Sequence, residues 1–324
     1  MITMQPLSGN HKQQTIISHC LHNASLPHSL LFSGLEGIGK KTFAMTLAKM
    51  MFCKNNACNT CPSCLQIEHG IHPDVIVMEP NDKGTIPIGN DDEHEGSIRW
   101  LIARISLAPV NNCRVVIIND AHAMNVQAQN ALLKTIEEPP HNNFIILISS
   151  ERNQLLPTIR SRITEYVFNP LSQEELTAIL VHNGVPHEKH NAILAVASGS
   201  ASYALILSDD TLYAMIVDAY RAIVSFVVQP EVFSHDLLPL LQALGPYKTI
   251  DLLINIFRLH CGNSFPSLPW FDSYLKEETA VEIIKILLEL RRGLSHNINI
   301  RMALKGMLYS LCFSYYNKRD TLWI

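Results

Sequence analysis

The sequence predicts an α/β domain with a parallel sheet, followed by a half of the chain that is entirely helical. Short apolar runs alternate with segments of helical periodicity in the first half, which is typical of a parallel sheet with helices on both faces. A glycine-rich loop of the phosphate-binding type joins the first apolar run to the first of these helices. Beyond Asn169 and Pro170 the strand signals fade and helical spacing dominates.

Strands and helical segments follow one another along the first half. The run that begins at Arg114 is continuously apolar up to Ile118, as expected for a strand covered on both faces. Asn125 is a suitable N-cap for the next helix, and Pro139 and Pro140 end it. The strands are expected at 30–32, 74–78, 114–118, 144–148 and 166–168, and the helical segments at 42–52, 98–107, 125–138 and 155–160.

The remainder of the chain is interpreted as two helical parts. Ser172, with Glu175 three residues later, resembles a capping box at the start of a helix. Breaks are expected at 245–246 and 264–269, and the polar stretch 81–96 is expected to be an exposed loop. The predicted domains are therefore 1–168 (α/β), 169–209 (small and helical) and 210–324 (helical).

Composition excludes several classes of protein. The chain has 324 residues, 47% of them hydrophobic, which is typical of a globular protein with two or three domains. Its formal net charge of -4 at pH 7 argues against a chain-wide grip on nucleic acid. No apolar run is long enough to span a bilayer, and residues 1–10 lack the features of a signal peptide. We therefore expect a cytoplasmic protein that does not interact with membranes.

A phosphate-binding loop is present but altered at one position. Such a loop has the pattern G-x-x-x-x-G-K-[ST], in which backbone amides and the Lys hold phosphate and the hydroxyl holds Mg²⁺. Here Gly34, Gly37, Gly39 and Lys40 are the candidate nucleotide-binding residues. Lys41 stands at the hydroxyl position, where an ammonium cannot coordinate a metal cation. The sequence thus predicts the fold of a nucleotide-binding domain and leaves ATP binding open.

A second alteration follows the strand at 114–118. P-loop ATPases carry an acidic residue at this strand end that orders Mg²⁺, and often a Glu beside it. Here the corresponding pair is Asn119 and Asp120, so the first position is neutral and the second is shorter by one methylene. A shift of one residue in the register would restore Asp120 as a metal ligand.

Four of the eight cysteines lie within twelve residues. Cys53, Cys58, Cys61 and Cys64 have the spacing C-x4-C-x2-C-x2-C. Because disulfides are rare in the cytosol, this cluster predicts a metal site rather than disulfide bonds. Four thiolates complete a tetrahedral Zn²⁺ shell, which is the arrangement of a structural zinc site.

Arg162 follows the helical turn at 155–160. An arginine at such a position is ordinarily a solvated surface charge. It could also reach across a subunit boundary as an arginine finger, stabilising the transition state of phosphoryl transfer on a neighbour. Position alone favours the surface charge.

Taken together, these residues resemble the delta-prime subunits of the bacterial DNA polymerase III clamp loader, within the AAA+ superfamily. The resemblance is dense over the first half of the chain, and the last third matches only as helical sequence. The run Leu132 to Pro140 with the Ser161-Arg162 turn is highly specific to clamp-loader subunits. The matching segments are PHSLLFSG (27–34), GIGK (37–40), the four cysteines, HPD (72–74), NALLKTIEEPP (130–140) and LPTIRSR (156–162).

The resemblance implies a non-hydrolysing stator subunit. Motor subunits of this family carry Thr after the loop Lys, an Asp-Glu pair at the strand end, and Arg in a Gly-Ser-x-Arg sensor. This chain has Lys41, Asn119 with Asp120, and Ser202 at those positions, while Arg162 is kept as the finger. The family's Ser-Arg-Cys motif departs only at its third position, Ile163.

The same resemblance implies the cofactor, the partners and the domain roles. Zn²⁺ is expected as a structural ion, and no ATPase activity of the chain's own is expected. The implied assembly is the DNA polymerase III holoenzyme, with the gamma/tau and delta subunits as direct partners and the sliding clamp and primed DNA as indirect ones. The segments 169–209 and 210–324 become the lid and the oligomerising collar.

Two other functions are kept as alternatives. The first is an active ATP-hydrolysing motor that uses Lys40, Thr42 and Asp120 in a shifted geometry. The second is a zinc-dependent nucleic-acid-binding module on a relic ATPase fold, which would bind DNA in a salt-sensitive manner without partners. The acidic balance of the chain and the scarcity of basic residues near the cysteines count against this second alternative.

Overall fold

The computed structural model describes residues 9–81, 84–90, 95–228, 237–262, 270–271 and 275–294, together with 302, 303, 306 and 309. The chain forms two compact units, residues 1–172 and 173–324. The division of the second unit into a lid and a collar stays a prediction. The break expected at 264–269 and part of the loop expected at 81–96 fall outside the described residues.

The first unit contains a five-stranded parallel sheet with the strand order β2-β3-β4-β1-β5. The strands are β1 (Ser29–Ser33), β2 (Val75–Met78), β3 (Arg114–Ile118), β4 (Asn143–Ser149) and β5 (Thr164–Val167). The α/β class with a parallel sheet predicted from the sequence is therefore confirmed. The last strand begins at Thr164, earlier than the predicted start at Tyr166, because its pairing with β1 extends from Leu30 to Ser33.

Six helices lie in the described part of this unit. They are α1 (His11–His22), α2 (Lys40–Phe52), α3 (Pro62–Glu68), α4 (Ile98–Ser106), α5 (Val126–Glu137) and α6 (Pro157–Arg160). Asn125 caps α5 as predicted, since its side-chain oxygen accepts a hydrogen bond from the backbone N–H of Ala128 at 2.8 Å. Helices α1 and α3 have no counterpart in the sequence-based expectation. Short 3-10 turns lie at Ala121–Ala123 and Arg152–Gln154.

The sheet separates two hydrophobic cores. Apolar side chains of α1, α2 and α3 pack on the face that presents Leu30 and Phe32. Side chains of α4, α5 and α6 pack on the opposite face, which presents Leu31. This alternation along β1 follows from the two-residue period of a strand, and it explains why the strands are apolar on both sides.

A buried ion pair holds the amino end of β2 and β3. The fully buried carboxylate of Asp74 accepts hydrogen bonds from the backbone N–H groups of Val110 at 2.8 Å and Asn111 at 2.7 Å. The guanidinium of Arg114 lies 3.6 Å from this carboxylate and donates to the carbonyl oxygen of Arg104 at the end of α4. The pair therefore fastens the loop before β3 to both neighbouring strands.

The described elements of the second unit are helical. They are α7 (Gln173–His182), α8 (His187–Ala197), α9 (Ala201–Ser208), α10 (Asp210–Val228), α11 (Leu237–Leu244), α12 (Pro246–Arg258) and α13 (Glu277–Gly293), with a 3-10 turn at Leu259–Cys261. Asp251 joins three of these helices, since its carboxylate accepts hydrogen bonds from Arg291 at 2.6 Å and from the hydroxyl of Tyr203 at 3.3 Å. Among the described residues, no helix has both the length and the apolar character needed to cross a membrane.

Candidate functional site

The glycine loop lies at the carboxyl end of β1, between this strand and α2. Gly34 follows the strand directly and has a φ of +146°, and a Cβ added there would lie 2.4 Å from the carbonyl oxygen of Phe168. Gly39 occupies the N-cap position of α2 with a φ of +94°. Only glycine meets both demands at Gly34, so the loop keeps the close-packed backbone of a phosphate-binding loop.

Lys40 is the first residue of α2 and is 6% exposed. Its ammonium donates hydrogen bonds to the carbonyl oxygens of Gly34, at 2.7 Å, and of Leu35, so it folds back over its own loop. Burial lowers the pKa of Lys40 to about 8, although the carboxylates of Asp120 and Glu36 act in the opposite direction. If a phosphate group bound in this loop, the ammonium of Lys40 would leave these carbonyl oxygens and pair with the negatively charged phosphate oxygens.

Lys41 takes part in a polar network with two strand ends. Its ammonium lies 2.7 Å from Oε1 of Glu79, the residue that follows β2. The other oxygen of Glu79 accepts a hydrogen bond from the side-chain amide of Asn119 at 2.8 Å, and Asn119 also donates to Asp120 at 3.1 Å. Lys41 and Asn119, the two positions that depart from the ATPase pattern, thus belong to one polar network. The positive charge in this network is the ammonium of Lys41.

The positions of Thr42 and Asp120 bear on the motor alternative, in which these residues would act together with Lys40 in ATP hydrolysis. Thr42 is exposed, and it lies two residues after Lys40 in α2, so the two side chains do not share a helix face. Asp120 has a left-handed backbone conformation, with a φ of +46°, and follows Asn119 outside β3. The carboxylate of Asp120 acts on the ammonium of Lys40 and raises its pKa, against the larger effect of burial.

The four cysteine thiols form one cluster at the end of α2. Their sulfur atoms all lie within 4.8 Å of one another. Sγ of Cys53 is 3.6 Å from that of Cys58 and 3.7 Å from that of Cys61. A Zn–S bond of about 2.3 Å in a tetrahedral shell requires sulfurs about 3.8 Å apart, so the four residues fit a single metal ion.

Hydrogen bonds and burial act in opposite directions on the pKa values of the cysteines. Hydrogen bonds from the hydroxyl and backbone of Thr60 and from the backbone N–H of Cys61 lower the pKa of Cys58 to about 6. Burial raises the pKa of Cys64 to about 12, because this thiol is fully enclosed. One half-exposed and one buried ligand are consistent with a closed structural site rather than an open catalytic one.

A lysine connects this cluster to the phosphate-loop helix. Lys49 lies in α2 and is 8% exposed, and its ammonium donates to the side-chain oxygen of Asn59 at 2.9 Å and pairs with Glu68 of α3. Because Lys49 is neutralised in this way, it adds no free positive charge beside the cysteines.

Arg162 lies two residues beyond α6, on the opposite face of the sheet from α2. Its side chain is 40% exposed, and its Nε donates to the carboxylate of Glu137 at the end of α5. Its Nη1 donates to the carbonyl oxygen of Thr158 at 3.1 Å and to the hydroxyl of Ser161 at 3.2 Å.

Ser202 lies in α9 of the second unit, where Ser200 caps the helix by accepting from the N–H of Tyr203 at 3.2 Å.

Sequence reasoning did not single out Glu79 or Glu137. Glu79 follows a predicted strand directly, and carboxyl ends of parallel strands meet at one edge of a sheet, so its position was a usable signal. Glu137 lies within the motif NALLKTIEEPP, but nothing local distinguishes it from Glu138. Only the packing of α6 beside α5 brings Glu137 to Arg162.

The five-stranded parallel sheet and the glycine loop between β1 and α2 define the class as an α/β protein with the fold of a nucleotide-binding domain. The family described as DNA polymerase III, delta subunit matches residues 9–172, just over half of the chain. The chain belongs to this family, and the resemblance inferred from its motifs is confirmed.

Individual relatives agree with this assignment. The chain is 34% identical over 196 residues to DNA polymerase III subunit delta' of Pseudomonas aeruginosa, an alignment that spans 58% of each protein. It is 25% identical over 323 residues to the delta' subunit of Bacillus subtilis, covering 91% of this chain and 94% of that one. A gamma subunit-related protein from Thermotoga maritima shares the fold, with a TM-score of 0.52 and 18% identity over 93% of this chain and 98% of that one.

Proposed function

We propose that the chain is the non-hydrolysing stator of a DNA polymerase III clamp loader. The observation that carries this proposal is the network of Lys41, Glu79 and Asn119. In an active ATPase, Mg²⁺ is held at this place by a hydroxyl and a carboxylate. A tethered ammonium and an amide replace those two ligands here, and the ammonium repels a metal cation. Ser202 stands where motor subunits carry a sensor arginine, which is a third departure from the pattern of an active ATPase.

The proposal assigns the catalytic contribution to Arg162 acting on a neighbouring subunit. Its guanidinium is exposed at a loop that α6 supports, and an exposed arginine can approach the phosphates of a partner's ATP. Such a finger stabilises the charge that develops on the transferred phosphoryl group. The partners in this proposal are the gamma/tau and delta subunits, with the sliding clamp and primed DNA bound by the whole assembly.

In this proposal the four cysteines hold a structural Zn²⁺. The sulfur separations support zinc, and four thiolates fill a tetrahedral shell without an open coordination position for a substrate. The ion would brace the end of α2, whose other end forms the phosphate loop. Its role is therefore to stabilise the domain, and the chemistry belongs to Arg162.

The first experiment tests Arg162 in the reconstituted clamp loader with clamp and primed DNA. We expect Arg162→Ala to lower the ATPase rate of the assembly roughly tenfold or more. The matched control is Arg99→Ala, which removes another exposed arginine, whose guanidinium donates to the backbone carbonyl oxygen of Asn90. An unchanged ATPase rate in an assembled, folded complex would refute the finger role.

A second experiment separates the stator from the motor alternative. Calorimetric titration of the zinc-loaded chain with ATP and Mg²⁺ is expected to show no Mg²⁺-dependent binding. Tight binding that requires Mg²⁺ would favour the motor, with Asp120 as the surviving metal ligand.

A further inference from the structure

We propose that Glu137 is a positioning residue for Arg162, holding the guanidinium in the orientation that a neighbour's phosphate requires. This inference rests on the proposed arginine-finger function. The contact is specific, because the carboxylate of Glu137 accepts from Nε of Arg162 and not from the two terminal nitrogens. Within the described residues, Nη2 makes no hydrogen bond.

The remaining contacts of Arg162 complete this arrangement. Nη1 donates to the backbone carbonyl of Thr158 and to the hydroxyl of Ser161, both on the preceding turn. The guanidinium is thus held on its Nε side and at one terminal nitrogen. Nε and Nη1 are engaged in these contacts, and within the described residues Nη2 is left to donate to a phosphate of the partner subunit.

Rigid packing supports both members of the pair. Ile136 beside Glu137 is 2% exposed, and Ile159 in α6 is fully buried in the same core cluster. The hydroxyl of Ser29 in β1 donates to the carbonyl oxygen of Ile136 at 3.0 Å, which fixes the last turn of α5 to the sheet. Glu137 therefore presents its carboxylate from an anchored helix end.

The pair contributes little to stability and can therefore be tested without unfolding the protein. Both side chains are about two-fifths exposed, at 40% for Arg162 and 44% for Glu137. Exposed ion pairs of this kind are weak, since solvent screens the charges. The functional contribution of the ion pair is to restrict the rotamers of the long Arg162 side chain before a partner subunit binds.

The alternative role of Glu137 is a brake. A carboxylate beside the finger reduces its net positive charge and would weaken its attraction for phosphate. The two roles predict opposite effects, because positioning needs the hydrogen-bond acceptor while the brake needs the negative charge. Glu137→Gln keeps the acceptor and removes the charge, whereas Glu137→Ala removes both.

The test uses the complete clamp loader with clamp and primed DNA, measuring kcat and KM for ATP separately. We expect Glu137→Ala to lower kcat about tenfold with little change in KM, and Glu137→Gln to retain most of the activity. Glu138→Ala is the matched control, since Glu138 is the neighbouring exposed carboxylate. In an Arg162→Ala background, Glu137→Ala should have no further effect, because Glu137 acts only through Arg162.

The outcomes distinguish this inference from the function on which it rests. If Arg162→Ala leaves the ATPase rate unchanged, the finger function itself is wrong. If Arg162→Ala is severe while Glu137→Ala is silent, the finger stands and the positioning role is overturned. Faster turnover in both Glu137 variants would identify a brake, and a further loss in the Arg162→Ala background would show that Glu137 acts elsewhere.

Discussion

The ammonium of Lys41 lies 2.7 Å from the carboxylate of Glu79, so the start of α2 is tied to the end of β2 by an ion pair. Asn119 donates to the same carboxylate from the end of β3. Three side chains of the chain itself thus form a polar network at the carboxyl edge of the sheet, where a P-loop ATPase orders a metal ion.

The first prediction is that Mg²⁺-dependent ATP binding requires substitutions at both Lys41 and Asn119. We expect Lys41→Thr combined with Asn119→Asp to bind ATP at least about tenfold more tightly with Mg²⁺ than without it, since a hydroxyl and a carboxylate then share the ion. Isothermal titration of the isolated chain measures this difference. Adding Lys40→Ala should remove the gain, and a double variant without Mg²⁺-dependent binding would contradict the interpretation of the network.

The second prediction concerns the metal. Cys64→Ser should abolish zinc binding and lower the melting temperature by at least about 5 °C, because the binding free energy of a structural metal is part of the folding free energy. Elemental analysis and calorimetric melting measure the two effects. Cys113→Ser is the control, since this thiol lies outside the cluster. Full zinc content in Cys64→Ser would show that three thiolates suffice.

The third prediction concerns the buried carboxylate of Asp74. Asp74→Ala should destabilise the first unit by about 3–5 kcal/mol, since it leaves Arg114 charged and buried without its partner. Urea denaturation measures the loss, and amide hydrogen exchange should locate it in β2 and β3. Glu282→Ala breaks an exposed pair with Lys285 and should cost less than about 0.5 kcal/mol. Similar effects in the two variants would mean that the buried pair is not structural.

The fourth prediction follows from the pKa of Lys40, which burial lowers from 10.5 to about 8. Between these two values the unfolded chain keeps a proton that the folded chain has released, so stability rises with pH across this window. Below pH 8 both states are protonated, and the cost of burying the ammonium is fully present. The wild-type chain should therefore gain about 2 kcal/mol between pH 7 and pH 9.5 from this group.

Lys40→Met provides the measurement, because methionine fills the same space without a charge. We expect the variant to be more stable than the wild type at pH 7, with the difference narrowing as the pH rises to 9.5. Urea denaturation of the zinc-loaded proteins at both pH values gives the two differences. A difference that is constant with pH would show that the ammonium is not desolvated in the folded chain.

Local patterns predicted much of the first unit. The apolar run after Arg114, the N-cap at Asn125 and the glycine loop each depend on residues within a few positions of one another, and each appears in the structure. Helix α1 was missed because its sequence, HKQQTIISHCLH, carries a weak apolar stripe, and it is stabilised by packing Ile17 against the sheet. Helix α3 was not predicted because it begins between Cys61 and Cys64, in a segment interpreted only as a metal site.

The sequence by itself determined the sheet, the phosphate-loop fold and the cysteine cluster, because hydrophobic period, turn residues and ligand spacing are all short-range properties. Only the tertiary structure decided the pairs Lys41 with Glu79 and Arg162 with Glu137. These partners are distant in the chain, and they meet because the strand order β2-β3-β4-β1-β5 and the packing of α6 beside α5 bring separate segments together. Long-range pairing depends on topology, which no local pattern encodes.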